Sequence, residues 1–318
     1  MAELGDHSKP LVLVTGASGF VGGYLVGALA NEGRFNVRTL SRKSRQECPI
    51  NTEQRVLSHP FSLENLDLAV GGVDTIVHCA GRAHVMDEAT SSALADYRQV
   101  NVEYSVNLAK AAVKADVRRF VYLSSIKVNG ESTDGRAPFH PLDAPQPQDA
   151  YGQSKWEAEQ ALRQVLEGHC ELVIVRPPLV YGEGVKGNFA RLEAAAVARK
   201  PLPMGCLNNV RSLVSLPNLT DFLQCCVYHP NAAGKVFIPS DQQDLSVRDM
   251  VRAMAAVKGA RPLLLPVPVW CLKFIGTVLG KQAAIGRLCG TLQVDHSHTY
   301  EWLGWSAPYR PFQSITSR

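Results

Sequence analysis

A chain of 318 residues with 46% hydrophobic and 19% charged side chains has the make-up of an ordinary globular protein, long enough for one large core and a smaller attached region. Its net charge of +4 comes from scattered Lys and Arg with no long basic block, which argues against nucleic acid as a partner and suits an anionic small molecule. The eight cysteines show no CxxC pair and no metal-ligand spacing, and MAELGDHSKP has no apolar core for a signal peptide, so the chain reads as cytoplasmic, with buried free thiols and no metal site.

Leu11 to Val14 is a short apolar run that ends in Thr15-Gly16, and a helical pattern from Phe20 to Ala30 is closed by Asn31-Glu32-Gly33. A second strand spans Asn36 to Leu40, a third candidate surrounds Arg55 to Leu57, and a fourth, Thr75 to Cys79, is bounded by Gly71-Gly72 and Gly81. A helix from about Ser92 to Lys114 leads to strand Phe120 to Leu123, and a helix from Tyr151 to Glu167 leads to strand Leu172 to Val175. This alternation predicts an α/β fold with a doubly wound parallel sheet over residues 9–176, followed by a smaller C-terminal region, 177–318, in which core elements are interleaved. The proline-rich segment Ala137 to Pro147 is expected to be a surface loop lying before Tyr151 and placed to cover a site. The stretch from Leu263 to Leu279 is the most apolar in the chain, but Pro266, Pro268 and Lys273 interrupt it, so no integral membrane span is expected. It reads as a buried turn leading into an amphipathic helix; contact with a membrane interface through Trp270, Phe274 and Leu279 is the other reading.

The turn Thr15-Gly16-Ala17-Ser18-Gly19-Phe20-Val21-Gly22 sits between a strand and a helix, the context in which a glycine pattern points to a dinucleotide. Gly16 permits the tight turn, Gly19 lets backbone approach a pyrophosphate, and Gly22 allows helix and strand to pack closely, while Ser18, Phe20 and Val21 complete the cradle at the helix N-terminus. A site that prefers NAD carries an acid at the end of the second strand; here that position reads Thr39-Leu40-Ser41-Arg42-Lys43. With no carboxylate present, Ser41 and Arg42, aided by Arg38 or Lys43, suit a 2′-phosphate, which favours NADP(H) over NAD(H) unless these are merely solvated loop charges.

Tyr151 and Lys155 lie at i and i+4 on one helix face, where a fixed ammonium favours the phenolate and brings the tyrosine toward the working pH range. Ser124-Ser125 ends the strand Phe120 to Leu123, at the carboxyl edge where ligands of doubly wound sheets gather, so the Ser125 hydroxyl is placed to hydrogen-bond the reacting oxygen. Together with the glycine turn, these pieces point to an oxidoreductase.

TGASGFVG, HCAG at His78 to Gly81, Asn101, LSSIKVNG, YGQSK and RPPLVYG together resemble the extended short-chain dehydrogenase/reductases, and more narrowly their nucleotide-sugar epimerase/dehydratase/reductase group, from about Leu11 to Asp221. The resemblance implies Ser125, Tyr151 and Lys155 as catalytic residues and Asn101 beside the active-site helix. It adds Ala80, Gly81, Asn101, Tyr151, Lys155 and Pro178 to the dinucleotide contacts. It also implies Arg82, Ser125, Ile126, Lys127, Asn188-Phe189 and Arg211 on the substrate side, with Arg211 on the nucleotide diphosphate and Arg287 as a candidate second arginine. A UDP-sugar substrate and a helix-face homodimer are implied in the same way.

Two departures narrow the activity. Dehydratases of this group usually carry Asp-Glu where this chain has Ile126-Lys127, which disfavours elimination of water. Epimerases usually show the second-strand acid that is absent here. Including RAHVMDE at Arg82 to Glu88, the pattern looks most like bacterial surface-polysaccharide (O-antigen) enzymes that reduce the 4-keto group of a UDP-4-keto-6-deoxy-N-acetylhexosamine, forming for example UDP-N-acetylquinovosamine. In that reading NADPH delivers hydride to C4, Tyr151 donates the proton, Ser125 hydrogen-bonds the oxygen and Lys155 supports Tyr151 and the cofactor ribose. Lys127 either orients a substrate oxygen or faces solvent. The alternatives are a UDP-hexose or UDP-N-acetylhexosamine 4-epimerase built on the same residues and, more remotely, a dinucleotide-binding protein without catalysis.

Overall fold

The computed structural model describes residues 9–43, 49, 52–57, 63–82 and 93–313. In the first half, strands and helices alternate: β1 (Leu11–Thr15), α1 (Phe20–Glu32), β2 (Asn36–Ser41), β3 (Thr52–Val56), α2 (Leu63–Val70), β4 (Thr75–His78), α3 (Ala93–Arg98), α4 (Tyr104–Lys114), β5 (Arg119–Leu123), α5 (Ala150–Leu166) and β6 (Glu171–Val175). The second half is built from shorter pieces: β7 (Leu179–Tyr181), α6 (Asn188–Val197), β8 (Val210–Arg211), β9 (Leu213–Ser215), α7 (Leu216–Tyr228), β10 (Val236–Phe237), β11 (Leu245–Ser246), α8 (Val247–Val257), α9 (Val269–Val278), α10 (Gln282–Cys289) and α11 (Ser297–Leu303).

Seven parallel strands form the main sheet in the order β10-β6-β5-β4-β1-β2-β3, so the doubly wound expectation holds. The inner strands are buried on both faces, which is why LVLVT and TIVH show no polar/apolar alternation, with Thr15, Thr75 and His78 buried beside the apolar residues. One face of the sheet packs on α1 and α7 through residues such as Leu25, Leu29, Phe222 and Leu223, and the other on α2, α4 and α5 through Leu66, Leu108, Phe120 and Leu162. The seventh strand and α7 both come from beyond residue 177, so later chain returns to complete the core. Arg119, 1% exposed, fixes α7 by donating from Nη1 to the Cys226 and His229 carbonyls at that helix's C-terminal end.

Chain order reverses on either side of β1, which opens the crevice between the carboxyl ends of β1 and β4. The second half follows β6 and returns to the sheet through β10 and α7. Its own small core holds Tyr181, Phe189, Leu213, Met250 and Phe312, joined by the two-stranded pairs β7 with β9 and β8 with β11.

Two expectations change and a third is refined. The helix expected from about Ser92 begins, among the described residues, at Ala93 and is not uniform: five residues, Gln99–Glu103, form a π-helical turn between α3 and α4. The proline-rich segment is the surface loop expected, with Leu142 76% exposed, but it is pinned at Phe139, which is 1% exposed, bridges Val294 and donates its amide to the Gln293 carbonyl at 2.8 Å. The 263–279 stretch is not buried: Leu263 and Leu265 are exposed and α9 turns its apolar face outward. Of the seven described cysteines, all free, Cys225 and Cys226 are buried and the others half-buried; Cys48 and residues 83–88 of the RAHVMDE motif lie outside the described residues.

Candidate active site

The glycine turn is closed by contacts that only glycine permits. Gly16 has φ +68°, and a Cβ there would lie 2.6 Å from the Ala80 amide nitrogen; a Cβ on Gly22 would lie 2.4 Å from the Gly16 carbonyl oxygen. Gly19 is the N-cap of α1 and brings no side chain to its first turn, so amides there remain available to an anion. Along this turn runs a cavity of about 430 Å³ lined by Gly16, Ser18, Gly19, Ser41, Arg42, Ala80, Gly81 and Arg82, residues named from sequence, together with Leu40, Cys79, Val100 and Tyr104, which were not. Phe20 and Val21 are half-buried in the first turn of α1. A phosphate cradle, an open groove and a strand end at its rim fit a dinucleotide.

The groove rim also sorts the basic residues. Ser41 Oγ donates to the Lys43 carbonyl at 2.6 Å, which forms the turn that presents Arg42. Arg42 is close enough to Tyr104 to oppose the rise that burial imposes on that phenol. Arg38 is not part of this set. It is 8% exposed, pairs with Glu53 at 2.7 Å and donates from Nη1 to the Ala69 and Gly71 carbonyls, so its charge is committed to holding β2, β3 and the end of α2 together.

At the other end of the cleft stand Ser125, Tyr151 and Lys155. Strand β5 delivers Ser125 in an extended conformation, φ −156° and ψ 148°, and its hydroxyl caps a short 3-10 turn by accepting from the Lys127 amide at 3.3 Å. Asp149 caps α5 by accepting from the Gly152 amide at 2.7 Å, which starts the helix one residue before Tyr151. Gly152 matters because a Cβ there would lie 2.8 Å from the Lys127 carbonyl oxygen: α5 presses directly on the Ser125 turn. Tyr151 and Ser125 are thereby joined by a side-chain hydrogen bond. Burial pushes the Tyr151 phenol up to about 12, with that hydrogen bond acting against the rise. Lys155 does not offset it as expected from sequence: its ammonium donates to the Leu123 carbonyl at 2.8 Å and to Tyr122 Oη at 3.2 Å. Burial brings Lys155 down to about 8.

Behind these groups runs a buried polar chain with one consistent direction. The Ala80 amide donates to Thr15 Oγ1 at 3.3 Å, and Thr15 Oγ1 and His78 Nδ1 lie 2.6 Å apart. His78 Nε2 is 2.9 Å from Ser105 Oγ, which donates to the Asn101 carbonyl at 2.7 Å and also bonds Tyr122. Since Ser105 spends its hydrogen on Asn101, His78 must donate from Nε2 and accept from Thr15 at Nδ1. Burial holds His78 down to about 3, so it stays neutral. The chain ends in the π-helical turn, where the Asn101 side chain accepts from the Arg82 amide at 2.8 Å and donates to Ser154 Oγ at 3.0 Å. Asn101, expected as a dinucleotide contact, is fully buried and braces α5 against the Arg82 segment. No local spacing in the sequence signals this assembly, because its members come from β1, β4, α4 and α5 and from the turn before α4.

A second buried network supports the serine loop: Ser124 Oγ donates to Glu159 Oε1 at 2.5 Å, and Arg176 pairs with both Glu159 oxygens at 2.9 and 2.6 Å while donating to Asn129 at 3.0 Å. The Ile126 amide donates to the Pro177 carbonyl at 3.0 Å, which sets buried Pro178 next to the Ser125 turn.

The remaining substrate-side residues divide. Arg82 pairs with Asp96 at 3.3 Å at the groove mouth. Ile126 is 5% exposed and packs with Phe139 and Ile238. Lys127 neither faces solvent nor stands alone, since it forms ion pairs with Glu131, at 2.7 Å, and with Asp149. Asn188 opens α6 on the surface, whereas Phe189 is 8% exposed and stacks on Tyr181 with 5.8 Å between ring centroids. Arg211 donates from Nη1 to the Arg287 and Gly290 carbonyls, so Arg287 meets it through backbone. A further cavity of about 310 Å³, lined among others by Tyr24, Glu183, Phe189, Pro217 and Phe312, lies on the α1 side of the second half.

Residues 12–237 match the NAD dependent epimerase/dehydratase family. The chain is 43% identical over 310 residues to a UDP-glucose 4-epimerase of Vibrio cholerae, covering 96% of this chain and 93% of that protein. It is 28% identical over 319 residues to an N-acetyl-alpha-D-glucosaminyl-diphospho-ditrans,octacis-undecaprenol 4-epimerase of Escherichia coli O157:H7, covering 96% and 92%. Among solved structures, UDP-N-acetylglucosamine 4-epimerase from Bacillus cereus superposes with a TM-score of 0.78 at 19% identity over 97% of both chains, a likeness of fold.

Proposed function

The chain belongs to the NAD dependent epimerase/dehydratase family, and from that premise we propose that it is a 4-epimerase of a UDP-hexose or UDP-N-acetylhexosamine. The observation that carries this reading is the 43% identity along nearly the whole chain to a UDP-glucose 4-epimerase, which outweighs the missing second-strand acid that favoured a reductase from sequence. A nicotinamide dinucleotide held along the glycine turn would supply reversible hydride transfer at C4. Tyr151 takes the proton from the sugar's O4 and returns it, as a positioned general acid–base. Ser125, already bonded to Tyr151, holds that same oxygen in line. Lys155, held by the Leu123 carbonyl and Tyr122 and standing beside Gly81 of the groove, would hold the cofactor ribose. Ile126 and Lys127 offer no acid–base pair for elimination, and Lys127 is further occupied by two carboxylates. The relative from E. coli O157:H7 is named for a sugar on a polyprenyl diphosphate, so a hexosyl diphosphate is the common requirement and the carrier is the variable to test.

The second reading, NADPH-dependent reduction of a UDP-4-keto-6-deoxy-N-acetylhexosamine, is favoured by Arg42 standing on the groove rim where the ribose-binding acid is absent. Incubating the protein with UDP-glucose, UDP-galactose and their N-acetyl forms, with products resolved by chromatography, tests the first. Interconversion without net consumption of cofactor is the expected result. Stoichiometric NADPH oxidation by the keto sugar, with no interconversion, would replace it with the second.

A further inference from the structure

Between Asp249 and Asp295 the chain has no acidic residue, yet it carries Arg252, Lys258, Arg261, Lys273, Lys281 and Arg287. Because the whole protein is only +4, the rest of the chain is slightly net acidic and the net positive excess falls in this segment. The same segment holds α9 and the loop before it, where exposed apolar side chains gather. Trp270, Phe274 and Val278, 71%, 66% and 68% exposed, recur every fourth residue along one line of α9, with Ile275 and Leu279 beside them. Leu272 and Gly276 point the other way, into the protein. Gly276 lets α10 approach closely, since a Cβ there would lie 2.7 Å from Ile285 Cγ1. Leu263 and Leu265 extend the exposed apolar surface into the loop, and exposed Lys273 and Lys281 stand at its edge.

An apolar stripe turned to water is unfavourable, and contiguous exposed patches mark contact with another phase or molecule. Trp, Phe and Leu bordered by Lys and Arg, with Asp134 near Lys273 as the neighbouring carboxylate, match the headgroup boundary of an anionic bilayer, which takes both the apolar groups and the net positive charge. We infer that α9 and the loop before it dock the protein on an anionic phospholipid surface. The contact is interfacial, because no helix among the described residues is long and apolar enough to cross a membrane. A second copy of the same face fits less well, since it would set like charges against each other. The end of α10 also supplies the Arg287 and Gly290 carbonyls that hold Arg211, so docking would act on the segment that fixes this arginine.

The test is vesicle flotation with phosphatidylglycerol/phosphatidylcholine against phosphatidylcholine alone, using the full chain, a Trp270→Ser/Phe274→Ser/Val278→Ser variant and a Lys273→Glu/Lys281→Glu variant. Binding of the wild type to the anionic vesicles only, with a blue shift of tryptophan emission, is expected. Each variant should bind at least about tenfold more weakly while keeping its unfolding midpoint and its dinucleotide binding. Failure of the wild type to float, or variants that float as it does, overturns the inference. So does a concentration-dependent dimer that the triple variant dissociates and that ignores vesicles, which would assign this face to a second copy. Because flotation needs no substrate, its outcome stands apart from that of the epimerase assay.

Discussion

The wall of the cleft and the second half of the molecule are built on opposite principles. On the wall made by β1, β4, β5 and α5, polar groups are buried and tied to one another: Thr15, His78, Ser105, Asn101, Ser124, Glu159 and Arg176 are each at most 3% exposed and each has a named partner. In the second half, strands are two or three residues long, apolar groups are left outside, and three of the four buried side-chain polar atoms without a hydrogen-bond partner among the described residues fall there, on Asn209, Arg248 and His298. Satisfied buried networks rigidify, whereas short pairings with few internal bonds yield at lower cost. Chemistry at one oxygen needs the first kind of construction; adaptation to a substrate and a surface is compatible with the second.

The sharpest break of this contrast is on the reacting oxygen itself. Tyr151→Phe removes a hydroxyl but no packing, and turnover should fall by about 10²- to 10⁴-fold with an unchanged circular dichroism spectrum. Full activity in that variant would show that the rigid wall is structural only. Next in size is the ion pair behind it. Arg176→Met leaves Glu159 as an uncompensated buried carboxylate and should cost about 3–5 kcal/mol in denaturant unfolding, while Arg176→Met combined with Glu159→Leu should recover much of that. A single variant as stable as wild type would mean that the network does not fix this wall.

The third prediction sharpens the comparison through pH. Lys155 sits near 8 in the folded protein against 10.5 for the free side chain. Below about pH 8 both states carry the proton and the folded state bears the full cost of burying it. Between about 8 and 10.5 the unfolded chain binds more protons, so the lysine's unfavourable contribution fades and stability rises with pH across that window. Lys155→Met should therefore be more stable than wild type near pH 7, by at most about 3 kcal/mol less what the Leu123 carbonyl loses. The gap should close as pH approaches about 10.5. Parallel stability curves for the two proteins would contradict the burial of this charge.

What could be read from the sequence follows the same division. The glycine turn, Ser125, Tyr151 and Lys155 were legible because each rests on short-range spacing: a strand-to-helix turn, a strand end, an i,i+4 pair. The parallel, doubly wound sheet followed from alternation alone, whereas its strand order came only with the fold. Three things were not legible. Arg38 looked like a free cation until β3 and the end of α2 were folded against it. Asn101 looked like a ligand contact, but a π-helical turn redirects its amide to Ser154 and Arg82, and no local pattern announces that turn. Lys155 looked like a partner for the phenol because both lie on one helix face; the Leu123 carbonyl, brought by another strand, takes its ammonium. In each case a contact distant in sequence decides the role of a polar group.

The smallest expected effect is the most diagnostic for the second half. In a core, loss of a large aromatic removes buried area and leaves a cavity, so Phe222→Ala, at 0% exposure between α1, α7 and Trp305, should cost about 3–5 kcal/mol. Trp270 and Phe274 are equally large, but at 71% and 66% exposure most of their surface meets water in both the folded and unfolded states. Trp270→Ser and Phe274→Ser should each shift unfolding by no more than about 0.5 kcal/mol, read from denaturant midpoints at unchanged slope. A cost of about 2 kcal/mol or more would mean that α9 is held by these side chains and that its outer face belongs to the fold. A null effect on stability, combined with a loss of vesicle binding, would separate holding the protein together from holding it to a surface.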